Sequence, residues 1–167
     1  TDDCPDNWQN ESFTVALSPS DPDGSGVATT YYRVDDGDWT TGTSITIDTD
    51  GNHTVEYYSK DDTGNKEDSN TVYAKLDSVE PDVTLNKPLD SINTNNSEVA
   101  FNFTITDELD GDLNWKLYMD GSETAEGTGS GELSETISGI PDGDYTWKVS
   151  AEDDAGNTNT STIRDFN

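Results

Sequence analysis

The chain has 167 residues, of which 36 are acidic and 8 basic, giving a formal net charge of −28. That balance excludes nucleic acid as a partner, because binding phosphate needs a basic footprint. Hydrophobic residues make up only 29%, as in many disordered chains, but here they fall in short alternating runs that disorder does not produce.

Thr1 to Asn7 reads as an extended linker or turn, and its abrupt start reads as a mature product or an excised segment of a longer protein. Trp8 is expected to plug one end of the first core. Phe13, Val15 and Leu17 alternate on one strand face, and the Pro- and Gly-rich stretch Ser18 to Gly26 is a loop. Val27 to Val34 is the next strand. Asp35-Asp36-Gly37-Asp38 is its hairpin turn, with Gly37 expected at positive φ, and Trp39 opens the return strand. Ser44 to Asp48 and Thr54 to Ser59 are joined by the turn Thr49-Asp50-Gly51-Asn52, and Ser69 to Leu76 closes the first half.

A short acidic linker, Asp77 to Asp82, leads to Val83 and Leu85. Val99, Phe101, Phe103 and Ile105 then alternate, followed by the loop Asp107 to Asp112. Leu113 to Met119 is a strand turned back at Asp120-Gly121. Leu133 and Ile137 share one face of another, Tyr145 to Ala151 alternates again, and Thr160 to Phe166 is the last strand. All six prolines fall in turns or linkers, as strands require.

One motif organises the whole. An apolar strand runs into Asp61-Asp62-Thr63-Gly64-Asn65 and, 92 residues later, into Asp153-Asp154-Ala155-Gly156-Asn157. That interval matches one immunoglobulin-like sandwich. The expected architecture is all-β, two tandem Ig-like or fibronectin-type antiparallel β-sandwiches, at residues 1–78 and 79–167. No apolar run approaches membrane-spanning length, and none of these residues is expected to be a signal peptide. With one cysteine, Cys4, no intrachain disulfide forms. The thiol is expected free or, in an oxidising compartment, in an interchain bond.

An enzyme is not expected: the lone His53 lies beside Asn52 in a turn, without a second histidine or a nucleophile elbow. Metal binding is the stronger expectation. Asp21, Asp23, Asp61 and Asp62 converge if the loop after the first strand neighbours the Gly64 turn, and Asp107, Asp110, Asp112, Asp153 and Asp154 do so in the second domain. Clustered carboxylates suit Ca²⁺, a hard cation with 6–8 oxygen ligands, although neither spacing is that of an EF-hand. Capped turns with solvated carboxylates explain the same residues. Asn10, Asn52, Asn95 and Asn159 are candidate glycosylation sequons, while a fifth, Asn102, lies inside a strand. Tyr31-Tyr32 and Tyr57-Tyr58 force one ring of each pair outward. This makes Tyr31 and Tyr58 either a cross-strand packing pair or a contact surface for sugar or protein. Tyr145, after Pro141-Asp142-Gly143, fits a tyrosine corner.

The segments Asp2-Asp3-Cys4-Pro5, Gly24-Ser25-Gly26-Val27, Tyr31-Tyr32-Arg33-Val34-Asp35-Asp36-Gly37 and Gly51-Asn52-His53-Thr54-Val55 resemble an Ig-like repeat of prokaryotic cell-surface proteins. Pro81-Asp82-Val83-Thr84-Leu85 with Asp153-Asp154-Ala155-Gly156-Asn157 resembles a second repeat type, common in archaeal surface proteins. The resemblance implies an extracellular, cell-surface structural module acting as spacer, stalk or filament subunit. Its partners would be neighbouring copies or repeats and cell-envelope glycans. The alternative it implies is a carbohydrate-binding or adhesive module.

Overall fold

Short alternating runs between Gly, Pro and Asp turns leave the chain no route to a helix, and the computed structural model contains only strands, turns and bends among the residues it describes, 1–22, 24–93 and 97–167. Of the expected site residues, Asp23 and Asn95 lie outside this set. No helix of the described residues is long and apolar enough to cross a membrane. The chain divides into two compact units, Thr1–Ser78 and Val79–Asn167.

The first unit contains β1 (Phe13–Ala16), β2 (Val27–Val34), β3 (Thr40–Thr41), β4 (Ser44–Ile47), β5 (Gly51–Asp61) and β6 (Asn70–Leu76). β1 pairs with β4, and a second sheet runs β3-β2-β5-β6, with every pairing antiparallel. Alternation along each strand turns Val15, Leu17, Ile45, Ile47, Val55, Tyr57, Ala74 and Leu76 into one core between the sheets. The N-terminal segment is more ordered than a linker. Asp2 bridges Leu17, the Asp3 N–H donates to Ala16 O (3.2 Å), and Cys4 packs against the core. Trp8, expected as the plug, is only half-buried, and Cys4 is the residue of this segment that packs against the core.

The second unit contains β7 (Asp82–Lys87), β8 (Glu98–Thr106), β9 (Leu113–Met119), β10 (Ser122–Gly129), β11 (Gly131–Ser138), β12 (Tyr145–Glu152), β13 (Thr158–Thr160) and β14 (Arg164–Phe166). Its sheets run β11-β8-β7 and β10-β9-β12-β13, with β14 also on β12. Phe101, Phe103, Trp115, Trp147 and Phe166 join the aliphatic residues of its core. Phe101 meets Trp147 edge-on at 5.1 Å, and Phe103 meets Trp115 likewise. The Tyr145 hydroxyl donates to Pro141 O at 3.0 Å, the tyrosine-corner bond.

Four local expectations change. At the first hairpin Asp35 (φ 49°) and Asp36 (φ 59°) take the left-handed positions, and Gly37 is the residue whose N–H closes the turn on Val34 O (2.9 Å). A Cβ on Gly37 would sit 2.9 Å from that oxygen, so closeness, not φ, requires the glycine. β5 begins at Gly51 and runs to Asp61, which moves Asn52 and His53 from a turn onto a strand. β10 forms where the sequence shows no apolar alternation; it pairs with β9, Ala125 packs on the core, and its side chains are mostly exposed. The last strand is split. The Ser161 hydroxyl accepts the Val149 N–H (3.0 Å) in place of a backbone carbonyl, and the ladder resumes at Arg164 shifted by one residue.

Candidate functional site

The two copies of the organising motif close by the same backbone bonds. Asp61 N–H donates to Asn65 O (3.0 Å) and Gly64 N–H to Asp61 O (3.1 Å). The equivalents are Asp153 N–H to Asn157 O (3.1 Å) and Gly156 N–H to Asp153 O (3.2 Å). Gly64 and Gly156 have φ of 91° and 89°, which only glycine adopts without strain. In both turns the leading aspartate accepts the backbone N–H and the side-chain amide of the asparagine, at 2.7–2.8 Å.

Their surroundings differ. Asp61 also accepts the Thr63 N–H and hydroxyl, so its own turn satisfies it. The Asn65 side-chain amide, the Asn65 N–H, Thr63 and Ser25 outweigh what desolvation it has and hold its carboxyl at about 2. Asp21 accepts the Gly26 N–H (3.1 Å), and the Asp62 N–H donates to Gly26 O (3.1 Å), so the preceding loop docks on this turn through backbone. Asp21 and Asp61 line a groove of about 250 Å³ together with Lys60 and Lys66.

In the second unit Ala155 replaces Thr63 and offers no hydroxyl, and Asp153 is buried at 3% exposure. The loop before β9 docks through a carboxylate: Asp110 accepts the Asp154 N–H at 2.8 Å and the Asp112 N–H at 2.9 Å. Asp107 caps the same loop, accepting from Leu109 (2.8 Å) and Asp110 (3.1 Å) with one oxygen. Its other oxygen, Oδ2, is buried without a hydrogen-bond partner. Carboxylate oxygens of Asp107 and Asp153 lie within 4.8 Å of each other. Of the five candidates in this unit, Asp107 and Asp153 bring carboxylate oxygens together, Asp110 is engaged by backbone N–H groups, and Asp112 and Asp154 supply those N–H groups. A buried carboxylate oxygen without a partner is costly, and oxygens of this kind are the ligand type of hard cations.

The other constellation lies on the outer face of β3-β2-β5-β6. Tyr31 and Tyr58 are register partners on β2 and β5 with rings stacked at 5.1 Å, and Trp39 meets Tyr58 edge-on at 4.7 Å. Lys66 Nζ sits 3.9 Å from the Tyr58 centroid, Lys60 Nζ 5.2 Å from that of Tyr31, and Arg33 lies 5.0 Å over Trp39. Arg33 also binds Glu56 through Nε (2.9 Å) and Nη2 (2.7 Å). Sequence reasoning singled out Tyr31 and Tyr58 and missed Trp39, Arg33, Lys60 and Lys66. The signal was available, since strand alternation puts Arg33 two residues beyond Tyr31 and Lys60 two beyond Tyr58.

The remaining candidates are placed as follows. Asn10 is exposed in a bend and Asn52 exposed on β5. Asn159 is half-buried on β13, and its Nδ2 donates to Pro81 O at 2.8 Å, so the atom a glycan would take is engaged. His53 is no loose surface residue, with its side chain only 14% exposed. Its Nδ1 pairs with Asp35 Oδ2 (2.6 Å), and Nε2 lies 2.8 Å from Thr49 O. The hydrogen bond to Asp35 raises the His53 pKa, against burial, with Thr49 O assisting. Burial raises Asp35, but the bonds from His53 and the Thr54 N–H prevail and lower it. Burial, then Asp2, Asp3 and Asp6, raise the Cys4 thiol, which disfavours the reactive thiolate.

No family model matches the chain. It is 33% identical over 96 residues to halomucin of Haloquadratum walsbyi, a match covering 56% of this chain and 1% of that one. The chain therefore spans a very small part of the curated relative it matches. Among solved structures, it is similar to the fibronectin(III)-like modules of Clostridium thermocellum CbhA (TM-score 0.45, 16% identity, 99% of this chain and 90% of that one). It is also similar to a chimeric titin Z1Z2 tandem (TM-score 0.39, 14% identity, 95% and 91%). Both scores fall below 0.5, so the sandwich architecture rests on the strand pairing and cores described above.

Proposed function

We propose that this chain is an extracellular structural segment of a surface protein, a spacer or filament module whose second unit is stiffened by Ca²⁺. The observation that carries the spacer reading is how the connection is tied at both ends. Ser78 donates from its N–H (2.9 Å) and hydroxyl (3.1 Å) to the Asp50 carboxylate of its own unit. Pro81 is buried, and its carbonyl is held by Asn159 of its own unit. Val79 and Glu80 are what lies between these anchors. The polar side chains nearest to chemistry are already used structurally, His53 on Asp35 and Thr49, and the motif aspartates on their own turns. The similarity to a short stretch of a much longer halomucin fits a segment repeated or embedded in a long chain.

The Ca²⁺ component rests on the buried Oδ2 of Asp107 beside Asp153. A cation that binds only the folded state adds RT ln(1 + [L]/Kd), about 2.7 kcal/mol at a hundredfold excess over Kd. Thermal melting in calcium, in EDTA, and in NaCl of matched ionic strength tests this. Calcium should raise the midpoint above matched salt, and Asp107→Asn should remove that gain. Equal midpoints in calcium and matched salt would reject a specific site and leave charge screening alone.

A further inference from the structure

Charge on the first unit is segregated by face. Residues 1–78 hold seventeen acidic and four basic side chains. All four basic residues, Arg33, Lys60, Lys66 and Lys75, lie on β2, β5 and β6 or, for Lys66, on the segment bridged to Lys60. At outward strand positions of that sheet the one acidic residue is Glu56, paired with Arg33, which also meets Asp36 of the hairpin turn at 3.2 Å. Among the described residues, Lys60 and Lys66 have no carboxylate oxygen within the 4.0 Å that defines an ion pair, despite the excess of acids. They rest on tyrosine rings instead. A strongly acidic unit thus presents one sheet face on which basic side chains outnumber acidic ones.

The occupant of such a face is anionic. A stacked sugar fits poorly, because the tyrosine faces are taken up by each other and by the lysines. A flat acidic protein surface fits well, and the chain carries one. The outer face of β7-β8-β11 presents Asp82, Glu98 and Glu132 among threonines and serines, with Lys87 as its lone cation. We propose that the outer face of β3-β2-β5-β6 docks on the outer face of β7-β8-β11 of a second copy. This deepens the structural-module reading by naming its partner. The two patches differ, so each copy offers two complementary faces to further copies of itself.

Copies carrying a net charge of −28 repel at long range. The contact therefore belongs to ionic strengths near 0.15 M or above, where charges beyond about 8 Å are screened and those in contact are not. Sedimentation velocity of the full chain across concentration at that salt is the test. Wild type should show species larger than monomer that grow with concentration. Lys60→Glu/Lys66→Glu and Glu98→Lys/Glu132→Lys should each weaken association by roughly tenfold or more. An equimolar mixture of the two variants should restore it, because each then meets an opposite face, and Lys60→Arg/Lys66→Arg should associate as wild type. Circular-dichroism melting checks that every variant folds. A wild type that stays monomeric throughout would overturn the proposal, as would a charge-reversed pair that associates unchanged or a mixture that restores nothing. So would a monomer that binds a sulfated polysaccharide through Lys60 and Lys66. None of these outcomes touches the spacer reading, since spacers within one chain need no contact between copies.

Discussion

In the first unit Tyr31, Trp39 and Tyr58 stand on the outer sheet face, and Tyr57 is the one buried aromatic of the core among the described residues. In the second, Phe101, Phe103, Trp115, Trp147 and Phe166 are all inside. Strand order is nevertheless matched: β8, β9, β11 and β12 take the places of β1, β2, β4 and β5. The same connectivity thus tolerates a small aliphatic core and a large aromatic one. Each fully buried large side chain contributes about 1.5–3 kcal/mol. The second unit accordingly holds the greater share of apolar burial, while the first spends its rings on a surface.

The most direct way to break the contrast is Trp147→Ala. Trp147 is 1% exposed and packs on Phe101, so its truncation should cost about 3–5 kcal/mol. Calorimetry should show the transition of the second unit lowered or lost while that of the first persists. A uniform shift of both would mean the units do not unfold independently.

A smaller effect sharpens the comparison of the twin turns. Asp153→Asn disturbs a buried carboxylate that holds the Asn157 N–H and amide, and should cost roughly 1–3 kcal/mol. Asp61→Asn alters the same bonds at a solvated turn and should cost less. Chemical denaturation of both variants compares them, and equal losses would show that burial does not separate the two copies.

The smallest effect is pH dependence in the first unit alone. His53 is raised on folding, so its contribution is full below its unfolded pKa near 6.5 and fades as pH rises through the folded value. Asp35 is lowered, so its contribution is full above about 3.9 and fades as pH falls through its folded value. The pair should give a plateau between about pH 4 and 6.5. With Asp35 half exposed, its size is about half a kcal/mol at most. His53→Gln should flatten the alkaline limb of the stability profile for the first unit and leave the second unchanged.

Much of this was readable from the sequence where residue period and turn chemistry act locally. Phe101, Phe103 and Ile105 declare a buried face by alternation alone, and Gly64 and Gly156 declare their turns. β10 was not readable, because Ala125, Gly127 and Gly129, opposite the core residues of β9, give no large apolar period. The inequality of the two acidic clusters was hidden too. It depends on Thr63 against Ala155, and on which neighbouring loop brings a carboxylate, Asp110, rather than a carbonyl, that of Gly26. Lys60 on Tyr31 needed the register of β2 against β5, and Lys66 on Tyr58 the bridge that folds its segment back on Lys60, neither of which a single strand encodes.

The anchored connection also fixes how the chain responds to being pulled. Two fully extended residues span only about 7 Å, so Val79 and Glu80 supply almost no slack between Ser78 and Pro81. Tension applied along the chain therefore reaches the sheets with little prior lengthening. Further extension comes from shearing or peeling strands, which releases contour length in discrete, unit-sized steps and not through a compliant tether.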